Sequence, residues 1–245
     1  MNRFFIDSGN IFGTKASLYS EDVKHIAAVL RLKAGDQVTL CDGRGNDYTA
    51  EITSISKAEV SFNILSAYCS TAEPKCSITL FQGLPKAGKL ETIIQKCVEL
   101  GISDIVPVVM DRSVVRISKS DFNKKSERYQ RVSMEAAKQS RRGIIPAVGQ
   151  LISSKEISAE GFDALLLAYE LEREKSIKAV MSSIDASAKR IGVIVGPEGG
   201  ISDDEAEYFS SIGAIPFSLG RRILRTETAG PAITAIILYH MEGEA

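Results

Sequence analysis

The apolar positions of this 245-residue chain change their period partway along. Through residues 1–70 they alternate with polar ones in short runs broken by turn residues. Residues 37–41 (Gln37-Val38-Thr39-Leu40-Cys41) are followed by Asp42-Gly43-Arg44-Gly45, then by similar runs at 48–52 and 60–64. Alternation at period two with Asp-Gly between runs predicts β hairpins, and so a small β-rich domain, read here as a barrel. One helix is predicted inside it over residues 20–32, with Ser20 as its cap and Glu21 and Asp22 in the first turn. Residues 71–75 are polar, contain Pro74 and lack apolar periodicity, which marks a linker.

Beyond the linker, over residues 76–245, strand and helix patterns alternate. Strands are predicted at 77–82, 104–110, 164–169, 189–195 and 214–217. Helices are predicted at 89–100, ended by Gly101, and at 120–139, 203–211 and 228–241. Pro231 falls in the first turn of the last, where its missing N–H costs little. Such alternation predicts an α/β domain whose parallel sheet carries helices on both faces.

Composition adds constraints. With 44% hydrophobic and 25% charged residues, the chain has an ordinary globular make-up and buries enough surface to need no staples. Its longest apolar stretches, 191–195 and 232–239, are too short to cross a bilayer, and the first residues lack a signal-peptide core, so the expected location is the cytoplasm. Cys41, Cys69, Cys76 and Cys97 form no C-x-x-C pair, and His25 and His240 are the only histidines. Reduced thiols and no metal site are therefore expected. The net charge of −1 is unevenly spread: residues 112–142 hold ten Arg or Lys against three acids, whereas residues 151–245 hold nine against fifteen. A local basic field on a nearly neutral protein suits a polyanion such as RNA.

Two familiar phosphate-binding patterns are absent. Gly43-Arg44-Gly45 starts like a dinucleotide fingerprint, but Tyr48 stands where the third glycine belongs and no helix follows; no phosphate loop ending in Gly-Lys-Ser/Thr occurs. The informative segment is Gly196-Pro197-Glu198-Gly199-Gly200-Ile201-Ser202, which follows an apolar strand. Ser202 with Glu205 three residues on makes a capping box for the next helix. Glycines there let backbone approach a ligand at the carboxyl end of a strand. Leu219-Gly220-Arg221-Arg222-Ile223-Leu224-Arg225-Thr226-Glu227-Thr228-Ala229 repeats the arrangement, setting charges at an apolar seam where they must be paired or used.

Taken together, these two strings resemble the RsmE family of 16S ribosomal RNA methyltransferases. The likeness extends to His25-Ile26-Ala27-Ala28-Val29-Leu30-Arg31, Gln95-Lys96-Cys97-Val98-Glu99-Leu100-Gly101 and Gln139-Ser140-Arg141-Arg142 with Pro146 beyond, and so covers nearly the whole chain. Lys138 departs from the family pattern, in which an acidic residue is common at that place. The resemblance implies a PUA-like β-barrel followed by a SPOUT domain whose C-terminal half is a deep trefoil knot. It implies S-adenosylmethionine as methyl donor, bound by loops at 167–170, 196–201 and 219–225. Backbone at Gly196, Gly199, Gly200, Leu219 and Gly220 would hold the donor alongside Leu167, Ala168 and Glu198, with Ile201, Ile223 and Leu224 as apolar walls. On this reading, Gly199→Val fills the cleft.

The implied reaction methylates N3 of one uridine near the decoding centre of the small ribosomal subunit. Arg225 would stabilise the uridine anion, with Glu198 or Glu227 positioning groups or accepting the proton, unless water does so. Arg31, Lys86, Lys89, Arg112, Arg116 and Arg142 would contact RNA phosphates, and a homodimer is implied. Two other readings fit the residues: a knotted methyltransferase acting on another RNA nucleotide, and a non-catalytic ribosome-assembly protein that binds RNA.

Overall fold

Pleat parity organises the first part of the molecule. The computed structural model describes residues 1–19, 21–86 and 88–242. It opens with strands β1 (Arg3–Phe5), β2 (Ile11–Phe12) and β3 (Lys15–Leu18) and the short helix α1 (Asp22–Lys24), then β4 (Gln37–Cys41), β5 (Asn46–Ile55) and β6 (Val60–Cys69). The strands form one mixed sheet in the order β1-β4-β5-β6-β3-β2, with β1 parallel to β4 and the other pairs antiparallel. Residues two apart point to the same face of a strand. Accordingly Phe4 with Ile6, Ala16 with Leu18, Val38 with Leu40, Ala50 with Ile52, and Val60 with Phe62 meet in one buried core.

The helix predicted over 20–32 is only partly realised. α1 passes into a π-helical turn at His25–Val29, and the chain leaves it at Arg31, whose φ is 53°. Only Val23 and Ile26 in the helical residues are buried, which is little tertiary anchoring to hold so short a segment in α geometry. The expected cap, Ser20, lies outside the described residues.

The chain divides into two compact units, and the first contains Ala137–Ile145 as well as Met1–Glu73. Residues 137–145, read from the sequence as part of the second domain, pack on the first sheet. The Gly45 N–H donates to the Gly143 carbonyl at 3.1 Å and the Ile145 N–H to the Gly43 carbonyl at 3.2 Å. Glu73 accepts from the Gly143 and Ile144 N–H groups at 2.8 and 3.0 Å. Lys138, the departure from the family pattern, pairs with Asp22 at 3.0 Å.

The second unit comprises β7 (Ser77–Gly83), α2 (Lys89–Leu100), β8 (Asp104–Val109), most of α3 (Lys119–Gln139), β9 (Ala147–Val148), β10 (Ile152–Ser153) and β11 (Ala164–Ala168). It continues with α4 (Ile177–Ser183), β12 (Arg190–Val195), α5 (Asp203–Ser211), β13 (Ile215–Phe217) and α6 (Thr226–Glu242). All strand pairs are parallel, in the order β10-β8-β7-β12-β11-β13 with β9 also on β8. β12 follows β11 in the chain, yet it lies between β7 and β11. Neighbouring residues of β7 serve opposite faces. Leu80 meets α6 at Gly230, while Phe81 joins Leu165, Leu167, Ile194 and Phe209 of α5 in a separate core. α4 and the short strands β9 and β10 were not predicted. Among the described residues no helix is long and apolar enough to cross a membrane.

Candidate active site

Because β11, β12 and β13 are adjacent and parallel, the loops that leave them emerge at the same sheet edge, where ligands of open α/β sheets bind. Residues 168–170, 173, 195–200 and 217–226 together line a cavity of about 420 Å³, within the roughly 300–1,000 Å³ typical of small-molecule sites. A more open depression of about 680 Å³ lies beside α5, lined by Tyr169, Glu172, Glu174, Asp203, Glu207 and Pro216 among others. It lacks glycine-rich backbone, so the first cavity is the better candidate.

Each glycine of the β12 loop has its own reason to be glycine. At Gly196 a Cβ would come within 2.9 Å of Ile201, and at Gly199 within 2.5 Å of the Arg112 carbonyl oxygen. Gly200 has φ 74°, and a Cβ there would run into the Glu170 carboxylate. The missing side chain of Gly199 thus makes room for the loop after β8. A valine there would strike protein backbone instead of filling the cleft, contrary to the expectation from sequence. Gly220, with φ 106° and open space on its Cβ side, serves conformation alone.

Hydrogen bonds seat the β12 loop. The Thr226 hydroxyl donates to the Gly196 carbonyl at 2.8 Å, and the buried Gln82 amide donates to Thr226 at 2.8 Å. At the other end, the capping box expected from Ser202 and Glu205 is present. Ser202 also donates to Asp111 at 2.8 Å, and the Asp111 N–H donates to Glu205 at 3.0 Å.

At the cavity wall Lys89 joins Glu198 at 3.1 Å and Glu227 at 3.0 Å. The pairing with Glu227 and Glu198 holds the Lys89 ammonium above its ordinary range. Burial pulls the Glu198 carboxyl upward, but its own backbone N–H, Lys89 and the Lys86 N–H outweigh this and hold it below the usual glutamate value. Glu227 is likewise lowered, first by its own N–H at the head of α6 and then by Lys89. Both carboxylates are therefore weak proton acceptors at neutral pH. This weighs against the base role the sequence offered them. Arg225 stands exposed on the cavity lining, next to Thr226 in the chain.

Most of the residues singled out from sequence converge on this cavity: Ala168, Gly196, Glu198, Gly199, Gly200, Leu219, Gly220, Ile223, Leu224 and Arg225 all line it. Leu167 and Ile201 do not, being wholly buried in the core beneath α5. Lys89 is a wall residue engaged by two carboxylates, which leaves it poorly placed for RNA phosphates. Arg31, Lys86, Arg112 and Arg116 are exposed. Arg142 is only 3% exposed and bound to Glu73 at 2.6 Å. It holds the first unit together and is not available to a phosphate. Sequence reasoning missed Gln82 and Thr226 as site-forming residues. The signal for Gln82 was a lone amide in the apolar strand Ser77–Gly83.

Comparison with known proteins places this geometry. Residues 72–238 match the RNA methyltransferase domain family and residues 18–65 the RNA methyltransferase PUA domain family. The chain is 34% identical to the ribosomal RNA small subunit methyltransferase E of Bacillus subtilis, over 99% of this chain and 98% of that protein. It is 33% identical to the protein of the same name from Rickettsia conorii, over 99% and 96%. Among solved structures, the ribosomal RNA small subunit methyltransferase E of Neisseria gonorrhoeae bound to S-adenosyl methionine is 29% identical. It covers 97% of this chain and 96% of its own, with a TM-score of 0.83.

Proposed function

The chain belongs to the ribosomal RNA small subunit methyltransferase E family, and from that membership we propose that it methylates N3 of one uridine of 16S ribosomal RNA in the small subunit, near the decoding centre, using S-adenosylmethionine. The observation that carries this reading is the cavity at the carboxyl ends of three adjacent parallel strands, in a chain related to those enzymes along its whole length.

The residues present fit the donor. The tight backbone at 196–200 and 219–220 offers N–H and C=O groups for its nucleoside and amino-acid parts. Ala168, Leu219, Ile223 and Leu224 supply apolar surface, and Glu170 an anion. When bound, the donor supplies an electrophilic methyl group on a sulfonium. Arg225 presents a permanent cation to the negative charge that develops on the uracil ring. Glu198 and Glu227, held by Lys89, fix the wall, and the N3 proton leaves to solvent. Arg31, Lys86, Arg112 and Arg116 meet the RNA backbone, giving affinity that falls with salt.

The finer architecture follows the same reading. The first sheet is read as a PUA-like barrel although its end strands β1 and β2 do not pair; residues 1–70 bind RNA, residues 71–75 link, and residues 76–245 form the methyltransferase domain. The trefoil knot finds support in β12, which lies between two strands that precede it in the chain. α6 is apolar along its middle and exposes Ile236 and Tyr239, a patch suited to a second copy and so to a homodimer. The protein works in the cytoplasm, where ribosomes are assembled.

The test is donor-dependent methylation of small subunits from a strain lacking this gene, read by nucleoside mass spectrometry. New 3-methyluridine is expected. A different methylated nucleoside would move the target to another base or RNA. No methylation together with no donor binding would leave a ribosome-assembly protein.

A further inference from the structure

We propose that Gln82 and Thr226 are positioning residues that set the methyl-donor site from beneath, through a hydrogen-bond chain whose direction is fixed; this rests on the reading that the cavity takes S-adenosylmethionine. The chain begins and ends on carbonyls. The Gln82 side-chain nitrogen lies 3.0 Å from the Gly83 carbonyl oxygen and 2.8 Å from the Thr226 hydroxyl, which lies 2.8 Å from the Gly196 carbonyl oxygen. Carbonyls only accept, and a threonine hydroxyl has one proton to give. Thr226 must donate to Gly196, and so must accept from Gln82. A flipped Gln82 amide would set oxygen against the Gly83 carbonyl, so its orientation is dictated as well.

The cost of this arrangement is visible. Both Gln82 N–H groups are spent, and its side-chain oxygen is buried without a hydrogen-bond partner. A hydrophobic residue would suit this position better for folding alone, since an unmet buried acceptor is unfavourable. Local rules broken inside a well-packed core concentrate at functional sites. The amide has a clear local effect. It denies Thr226 any other acceptor geometry and pins the carbonyl of Gly196, the first residue of the cavity's central loop. Gly83 completes the seat, because a Cβ there would lie 2.5 Å from the Pro197 nitrogen. The loop rests flush on the end of β7. Thr226 also adjoins Arg225 in the chain, so one hydroxyl ties the β12 loop to the base of the loop bearing the cation.

Donor binding by calorimetry and thermal melting of the full-length protein test this, with S-adenosylmethionine as the probe. Thr226→Val is expected to weaken binding about tenfold, the effect of one ordinary hydrogen bond. Thr226→Ser should restore it to within about twofold. Gln82→Leu is the decisive variant: it removes the orphaned oxygen together with the two donated bonds, effects that offset each other, so Tm should change little while donor affinity falls about fivefold or more. Wild-type affinity in Gln82→Leu, or affinity losses that merely follow losses in Tm, would overturn the proposal. Failure of the wild-type chain itself to bind the donor would overturn the underlying reading, and the proposal with it.

Discussion

The two loops that face each other across the cavity are built to different specifications. Residues 196–202 are tied down along their length, by Thr226 at Gly196, by Lys86 and Lys89 at Glu198, and by Asp111 at Ser202. Residues 219–225 are not: Arg221, Arg222 and Arg225 stand exposed, and Ile223 is 85% exposed. A site with one fixed wall and one open wall can hold a small ligand in register while the open side still admits a much larger one. Rigid elements hold reacting groups most accurately, and loops with few buried contacts are the ones free to adjust.

The strongest way to break this contrast is to insert a side chain into each loop. Gly199→Val should abolish donor binding and lower Tm by several degrees, because its Cβ meets the Arg112 carbonyl at 2.5 Å and overpacking costs roughly 1–3 kcal/mol. Gly220→Ala meets nothing, so it should cost only the strain of a positive φ, about 1 kcal/mol, and leave donor binding measurable. Equal damage from the two, in parallel calorimetry and melting, would erase the distinction between the walls.

Next in size is Arg225→Ala. If the open wall supplies charge to the reacting base, single-turnover methylation should fall by about 10²-fold or more. Unfolding free energy should change by less than about 0.5 kcal/mol, as for other exposed side chains. Near-normal turnover would assign the open wall to binding alone.

The smallest effect concerns the fixed wall's ion pairs. Glu198 and Glu227 have lowered pKa values in the folded protein. Their contribution to stability is therefore complete above the unfolded glutamate value of about 4.3, and is lost as pH falls through the folded values below it. Lys89→Met should lower stability only slightly at pH 7, since all three groups are partly solvated. The deficit should shrink below about pH 4. A deficit already shrinking from pH 8 to pH 5 would show that these carboxylates titrate higher and are free to act as bases.

Much of this was legible in the sequence because it is written locally. The capping box at Ser202 and Glu205, the glycine that ends α2, and the apolar runs of β11 and β12 depend on neighbours a few residues away. What was misread depends on distant ones. Ile201 looks like a cavity wall until β8, β11 and α5 close over it, and Arg142 looks like an RNA ligand until Glu73 arrives from 69 residues upstream. Gln82 gave a local hint, a polar residue in an apolar strand, but its partner lies 144 residues away. The helix at 20–32 failed for the converse reason: its local signals were good, and too few of its residues found a core.

The segment Ala137–Ile145 decides how the protein can be dissected. A fragment ending at the linker would lack the strip that covers Gly43 and Gly45. It would also leave the Glu73 carboxylate without Arg142 and without two of its backbone donors. The complementary fragment would carry those nine residues, three of them Lys or Arg, unmatched between the body of α3 and β9. Expression of either half by a single cut should therefore yield a poorly behaved product. A faithful first unit needs residues 1–73 joined to 137–145 through a short artificial bridge.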